Sequence, residues 1–261
     1  PGQTAALLQS VRDLLDAAPA DPASGEQAPK ALIVPHAGYV YSGSTAAQAY
    51  ALLAPWSNTI RRVVLLGPVH RVAVRGLALP GVEAFATPLG EVPIDLSAVA
   101  RIASLPQVVT SAAAHAQEHS LEVQLPFLQT VLDDFTLLPL AVGDATPDEV
   151  AEVLEALWGG PETLIVVSTD LSHFLRYSQA QAVDRESVQD LLALRPSLNH
   201  QQACGATPAN GLLLAARHHH LQPQLLALCN AGDTAGDKQR VVGYAAVAFH
   251  EAPSARAREV S

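Results

Sequence analysis

The chain has 261 residues, 49% of them hydrophobic, and a formal net charge of −10 at pH 7. That length is enough for one α/β domain to bury a sizeable core, while the acidic balance, with no clustered Lys or Arg, excludes a nucleic-acid partner. No apolar run approaches the roughly 18 residues of a membrane span, so no membrane partner is expected.

No targeting leader is read at the N-terminus. The two cysteines, Cys204 and Cys229, are too few for a disulfide framework. The expected setting is therefore reducing and cytoplasmic.

Residues 1–28 read as a helix and a loop. Leu7, Leu8, Val11, Leu14 and Leu15 recur at helical spacing, and Asp21-Pro22-Ala23-Ser24-Gly25 supplies the loop. Ala31-Leu32-Ile33-Val34 is a strand-like run that stops at Pro35-His36. An alanine-rich helix is predicted over about 44–53, ended by Pro55 and Asn58. A second apolar run, Val63-Val64-Leu65-Leu66-Gly67-Pro68, leads to His70.

Residues 76–95 are broken by Gly and Pro and read as edge strands or a hairpin. A helix is predicted over 96–103. His115-Ala116-Gln117-Glu118-His119-Ser120 then leads into a stripe of Leu121, Leu125, Leu128 and Leu132. Pro126 lies inside that stripe, so the helix kinks or begins there. A strand is predicted over 135–140. Thr146-Pro147-Asp148-Glu149 opens a helix that ends at Gly159-Gly160.

The third apolar run, Leu164-Ile165-Val166-Val167-Ser168-Thr169, ends at Asp170, with His173 shortly after. Helices over 179–194 and 208–217, strands over 224–229 and 241–249, and a frayed polar tail over 252–261 complete the reading. Strands alternating with helices predict one domain over residues 1–261. Its expected form is a three-layer αβα sandwich around a mostly parallel sheet.

Three apolar runs ending in an imidazole or a carboxylate are the functional signal. In an open α/β sheet, ligands bind beyond the carboxyl ends of the strands. His36 and His70 are candidate ligands of one metal ion; alternatively, each satisfies loop carbonyls. Asp170 either ligates or orients a ligating imidazole, with His173 nearby, or Asp170 and Ser172 cap a helix. His119 is a candidate general base, beside the simpler reading that Ser120 caps a helix. Cys204 precedes a predicted helix and is a third ligand, a redox thiol or a small buried hydrophobe. Cys229 reads as a buried, unreactive strand residue. In His218-His219-His220, consecutive helical positions point about 100° apart, which argues against a shared ion. That run reads as a basic helix end complementing the dipole.

Pro35-His36-Ala37-Gly38-Tyr39, Leu66-Gly67-Pro68-Val69-His70, Glu118-His119-Ser120-Leu121-Glu122, Ser168-Thr169-Asp170-Leu171-Ser172-His173 and Ala203-Cys204-Gly205 together resemble the Memo family in order and content. The resemblance runs from about residue 32 to the last strand. It implies a fold similar to the LigB-type class III extradiol dioxygenases. It also implies His36, His70 and Cys204 as metal ligands, Asp170 and His173 lining the same pocket, and His119 at the acid–base position. Two imidazoles and a thiolate suit iron or copper, with zinc also possible, rather than magnesium or calcium.

The implied function is redox or oxygen-dependent chemistry on an unknown small molecule. The alternatives are a zinc-type hydrolase and a non-enzymatic scaffold that binds a peptide. Prokaryotic members are linked to an AMMECR1-like protein and a radical-SAM protein, which are the expected functional partners. Two departures stand out. Cys204 replaces the dioxygenases' carboxylate, and Ala206 replaces the family's arginine after Cys-Gly, removing a contact for a substrate anion.

Overall fold

The structure is a computed structural model and describes residues 2–19 and 27–252. The loop expected over 21–25 and the tail beyond 252 lie outside the described residues. Helix α1 (Thr4–Asp16) buries Leu7 and Val11, as its apolar spacing requires. Strand β1 (Ala31–Val34) is buried throughout, and α2 (Tyr39–Ala51) follows it. Strand β2 (Arg62–Pro68) is buried from Val63 onward. The Gly- and Pro-punctuated stretch forms β3 (Leu77–Leu79) and a separate hairpin of β4 (Ala84–Thr87) and β5 (Gly90–Pro93).

Helix α3 (Leu96–Ile102), strand β6 (Val108–Thr110) and helix α4 (Ala112–Ala116) come next. The leucine stripe does not make one helix. It splits into α5 (His119–Glu122) and α6 (Leu125–Val131), with Pro126 in the first turn of α6, where its missing N–H costs nothing. Strand β7 (Thr136–Val142) precedes α7 (Pro147–Leu157), which carries the full capping box of Thr146 and Glu149. Strands β8 (Thr163–Ser168) and β9 (His173–Leu175) lead to α8 (Tyr177–Leu192) and α9 (Ala206–His218). Strands β10 (Gln222–Asn230) and β11 (Val241–His250) close the chain.

The sheet order is β10-β11-β1-β8-β2-β7-β3-β6, with β9 added on β11. Its centre, β1-β8-β2-β7, is wholly parallel. The outer strands β11, β10 and β3 run antiparallel to their inner neighbours. Central parallel strands are covered on both faces, which is why they read as unbroken apolar runs. Alternation within each strand then divides the core. Ile33, Val64, Leu66, Ile165 and Val167 face Val150, Leu154, Leu212 and Leu213 of α7 and α9. Leu32, Val34, Val63, Leu65 and Val166 face Leu7, Ala46, Tyr50 and Leu128 of α1, α2 and α6. These layers make the expected αβα sandwich.

Strands β6 and β9 fall outside the sequence-based expectation. Each has three residues, too few to establish a period. No helix starts at Asp170 or Ser172, so the capping alternative for that motif is corrected: the chain passes directly into β9.

The N-cap of α3 shows how loop polarity becomes stability. Asp95 Oδ1 accepts from the Ala98 N–H at 2.9 Å, and Oδ2 accepts from Arg62 Nε at 2.5 Å. Burial alone would raise the Asp95 carboxyl; the bonds from Ser97, Ala98 and Arg62 outweigh it and hold the group at about 2. Asp95→Ala is expected to cost about 1–2 kcal/mol of stability at neutral pH in urea denaturation. A depressed carboxyl stabilises the fold above its unfolded value and loses that contribution on protonation. The gap between wild type and variant should therefore close as pH falls from the ordinary 3.8 through about 2.

Candidate metal centre

Parallel pairing of β1, β8 and β2 brings three strand ends out side by side. Val34 lies opposite Ser168, and Leu66 opposite Val167. The next residues are therefore neighbours: His36 after β1, Asp170 after β8 and His70 after β2. His36 is buried, at 2% exposure. Its backbone N–H donates to Asp170 Oδ1 at 2.7 Å, which ties one strand end to the other. Helix α5 contributes His119. Ring centroids lie 5.3 Å apart for His36–His70, 5.5 Å for His36–His119 and 5.3 Å for His70–His119. One nitrogen from each ring lies within 4.8 Å of the other two.

Cys204 enters from the loop before α9. Thr169 Oγ1 accepts from the Gly205 N–H at 2.8 Å, pinning that loop to the end of β8. Cys204 Sγ then lies 3.3 Å from His36 Nε2.

Counting protons fixes the tautomer of His36. Ser168 Oγ donates its only hydrogen to the Ser120 carbonyl at 2.6 Å and accepts from Gln124 Nε2 at 2.9 Å. Toward His36 Nδ1, at 2.9 Å, Ser168 can only accept. Nδ1 therefore carries a hydrogen, and Nε2 faces Cys204 Sγ. Gln124 is itself held by Tyr50, whose hydroxyl donates to Oε1 at 2.8 Å, and it donates to the Pro35 carbonyl at 2.9 Å. Ser168, Gln124 and Tyr50 are all buried, so water does not compete for these bonds.

His70 is set by the same logic. Its Nδ1 lies 2.9 Å from Glu118 Oε1, and its backbone N–H donates to Oε2 at 2.6 Å. A carboxylate only accepts, so Nδ1 carries the hydrogen and Nε2 faces the cluster. Carboxylate–imidazole pairs of this kind orient metal-binding histidines. Contact with Cys204, then with Glu118, lifts His70 to about 10. Burial pushes the Cys204 thiol up, but the bonds from His36 and His70 outweigh it and bring the thiol down to about 6. Burial lowers His119 and raises Asp170. The donor set is two imidazoles held with Nε2 toward the cluster, a third imidazole beside them and a thiol biased toward thiolate. It fits a soft or borderline transition-metal ion.

The structure brings His36, His70 and His119 into one cluster, with Cys204 against His36 and Asp170 beneath the His36 backbone. His173 is not in the cluster. It lies, with His70, Cys204 and His200, on the wall of an adjoining cavity of about 980 Å³. The cap of α5 is Glu118 rather than Ser120, whose hydroxyl instead donates to the Pro68 carbonyl at 2.9 Å. Sequence reasoning missed Glu118, Ser168, Gln124 and Tyr50 as site residues. Glu118 adjoins His119, but its pairing with His70 appears only once α5 docks on the end of β2.

Ser168→Ala removes the acceptor that fixes the His36 tautomer. It is expected to weaken metal affinity by roughly 10–100-fold in a competition titration with the fold retained. Affinity equal to wild type would show that Ser168 does not set the ring.

Cys229 is only half-buried, which corrects the expectation of a buried thiol. Burial still raises it, even with Thr45 Oγ1 3.1 Å away. Iodoacetamide at neutral pH should therefore modify Cys204 first. Faster modification of Cys229 would contradict the assignment.

Three comparisons place the molecule among known proteins. The family model described as Memo-like protein matches residues 1–248. A MEMO1 family protein of Metallosphaera sedula is 33% identical over 87% of this chain and 86% of its own length. One from Methanopyrus kandleri is 35% identical over 84% and 82%. Among solved structures, an uncharacterized protein of Escherichia coli K12 superposes with a TM-score of 0.53 at 14% identity. It covers 83% of this chain and 98% of its own, a likeness of fold. With its family model matched from residue 1 to within two residues of the end of the last strand, and its strand-end histidines gathered at one sheet edge, the chain belongs to the Memo-like family.

Proposed function

We propose that this protein holds one transition-metal ion, iron or copper, on His36, His70 and Cys204, and carries out redox or oxygen-dependent chemistry on a small molecule. The observation that supports this most directly is the fixed orientation of His36. Its Nδ1 is committed to Ser168, and its Nε2 faces Cys204 Sγ at 3.3 Å. When bound, such an ion supplies electron exchange and an open coordination position.

The protein's own groups divide the remaining work. Glu118 holds His70 in register, and Asp170 holds the His36 backbone. His119, kept neutral by burial, is the proton acceptor at the rim. The substrate occupies the cavity of about 980 Å³ that opens on His70 and Cys204. No Lys or Arg is among the described residues lining it, in keeping with Ala206 where relatives of the resemblance carry arginine. The substrate is accordingly an uncharged or cationic molecule.

A hydrolytic zinc centre is the second reading, supported by the three-imidazole group of His36, His70 and His119. Elemental analysis of protein purified without a metal-affinity step separates the two. The first reading expects iron or copper near one equivalent, and the second expects zinc. Protein that neither retains nor takes up any of the three, with Fe(II), Cu(I) and Zn(II) each titrated anaerobically, would refute both.

A further inference from the structure

A second histidine cluster lies far from the strand ends. His218 is the last residue of α9, and His219 is its C-cap, with φ −90° and ψ 6°. The separation of about 100° between consecutive side chains applies inside a helix. Here the helix stops between the two residues, and the rings converge, with centroids 4.8 Å apart. Both meet Glu155 of the neighbouring helix α7. His218 Nδ1 lies 2.9 Å from Oε1, and His219 Nε2 lies 2.8 Å from Oε2. One donor atom from each of the three residues falls within 4.8 Å of the others.

A separate feature holds the His219 ring in place. The Trp158 indole stacks on it at 3.8 Å, with an interplanar angle of 8°. The carboxylate is held low as well: burial would raise Glu155, and its bonds to His218 and His219 outweigh that. His219 and Glu155 are about one-third exposed and His218 is open, so an ion could reach the site from solvent and keep water ligands.

We infer that Glu155, His218 and His219 form a second, surface site for a divalent transition-metal ion of the zinc, copper and nickel class. The chemistry is a replacement. Each imidazole now turns one ring N–H toward a carboxylate oxygen. On binding, the ion takes the place of those two hydrogens; from a neutral ring the proton moves through solvent to the other nitrogen, and from a charged ring it is released to water. Each ring keeps a single N–H on its other nitrogen, and the carboxylate supplies the third ligand. Imidazole and carboxylate donors suit these ions, and copper should bind most tightly of the three. The thirteen residues of α9 separate this site from Cys204 by roughly 20 Å along the helix, so the two sites do not share an ion.

The test uses the full chain carrying both His36→Ala and Cys204→Ser, the two changes expected to weaken the strand-end centre most. Cu(II) is titrated in while tryptophan fluorescence is followed. The chain contains two tryptophans, and Trp158 stacks directly on a proposed ligand ring. Saturable quenching near one equivalent is expected in the parent. Adding His218→Ala or Glu155→Gln, both of which leave the Trp158–His219 stack intact, should shift the midpoint roughly tenfold or more. Zn(II) should raise the melting temperature of the parent and not of these variants, since binding to the folded state alone is stabilising. No saturable quenching in the parent, or an unchanged midpoint in both variants, would overturn the site.

Discussion

Cys204→Ser and His36→Ala are each expected to lower affinity for Fe(II), Cu(I) and Zn(II) by roughly a hundredfold or more. Structural metal binding is worth about 10–16 kcal/mol over some four ligands, so one ligand carries ~3 kcal/mol. Neither change should unfold the protein, because both residues lie outside the strands and helices: His36 past the end of β1, and Cys204 in the loop before α9.

The pH dependence adds a second check. Binding requires the Cys204 thiolate and a free Nε2 on His70. The thiol is held at about 6, and His70 is raised to about 10. Between those values, the proton that binding must displace sits on His70. Wild-type affinity should then climb with pH by roughly tenfold per unit across the neutral range. In Cys204→Ser the strongest cause of the His70 shift is gone, so the climb should move to lower pH. Calorimetric titration of each metal under anaerobic reducing conditions reads both effects. Affinity unchanged in His36→Ala and Cys204→Ser would end the metal reading and favour a peptide-binding scaffold.

The reason His36 and His70 were visible in the sequence is physical. Buried parallel strands must be apolar throughout, so their ends are marked by the first polar residue, and neighbouring ends coincide in space. The same pattern gave Asp170, and the Cys204 loop came with the family motif. What stayed hidden depends on pairings between distant elements. Ser168 looks like one more strand residue until its single hydrogen is assigned to Ser120. Glu118 looks like a helix cap, which it also is, until the end of β2 arrives beside it. The 100° separation that argues against His218 and His219 holds within a helix, and α9 ends between them. Strand β9 was invisible because three residues carry no period, yet β9 carries His173 to the cavity wall.

Gly243→Ala should be strongly damaging although it lies away from the metal ligands. Gly243 pairs with the loop that follows β8: its N–H donates to the Ser172 carbonyl at 2.9 Å, and its carbonyl accepts from the Leu171 N–H at 2.8 Å. Asp184 of α8 closes the same loop from the other side, accepting the Ser172 N–H at 3.0 Å. A Cβ on Gly243 would lie 2.0 Å from Asp184 Oδ2 and 2.4 Å from its Cγ. Asp184 is short, buried and already bonded, so it cannot swing aside without leaving the Ser172 N–H unpaired. Overpacking and the lost bond together should cost about 3 kcal/mol. For a chain of this size that corresponds to a fall in melting temperature of roughly 6–12 °C. The displaced loop carries Asp170, whose Oδ1 holds the His36 backbone, so metal affinity should fall as well. Asp184→Ala removes the obstacle but also the acceptor. The two substitutions combined should then cost less than their sum, because the second relieves the clash made by the first. Urea denaturation of the four proteins measures that coupling. Strictly additive losses would mean that Gly243 and Asp184 act on the 170–173 loop independently, and that close approach is not what requires glycine there.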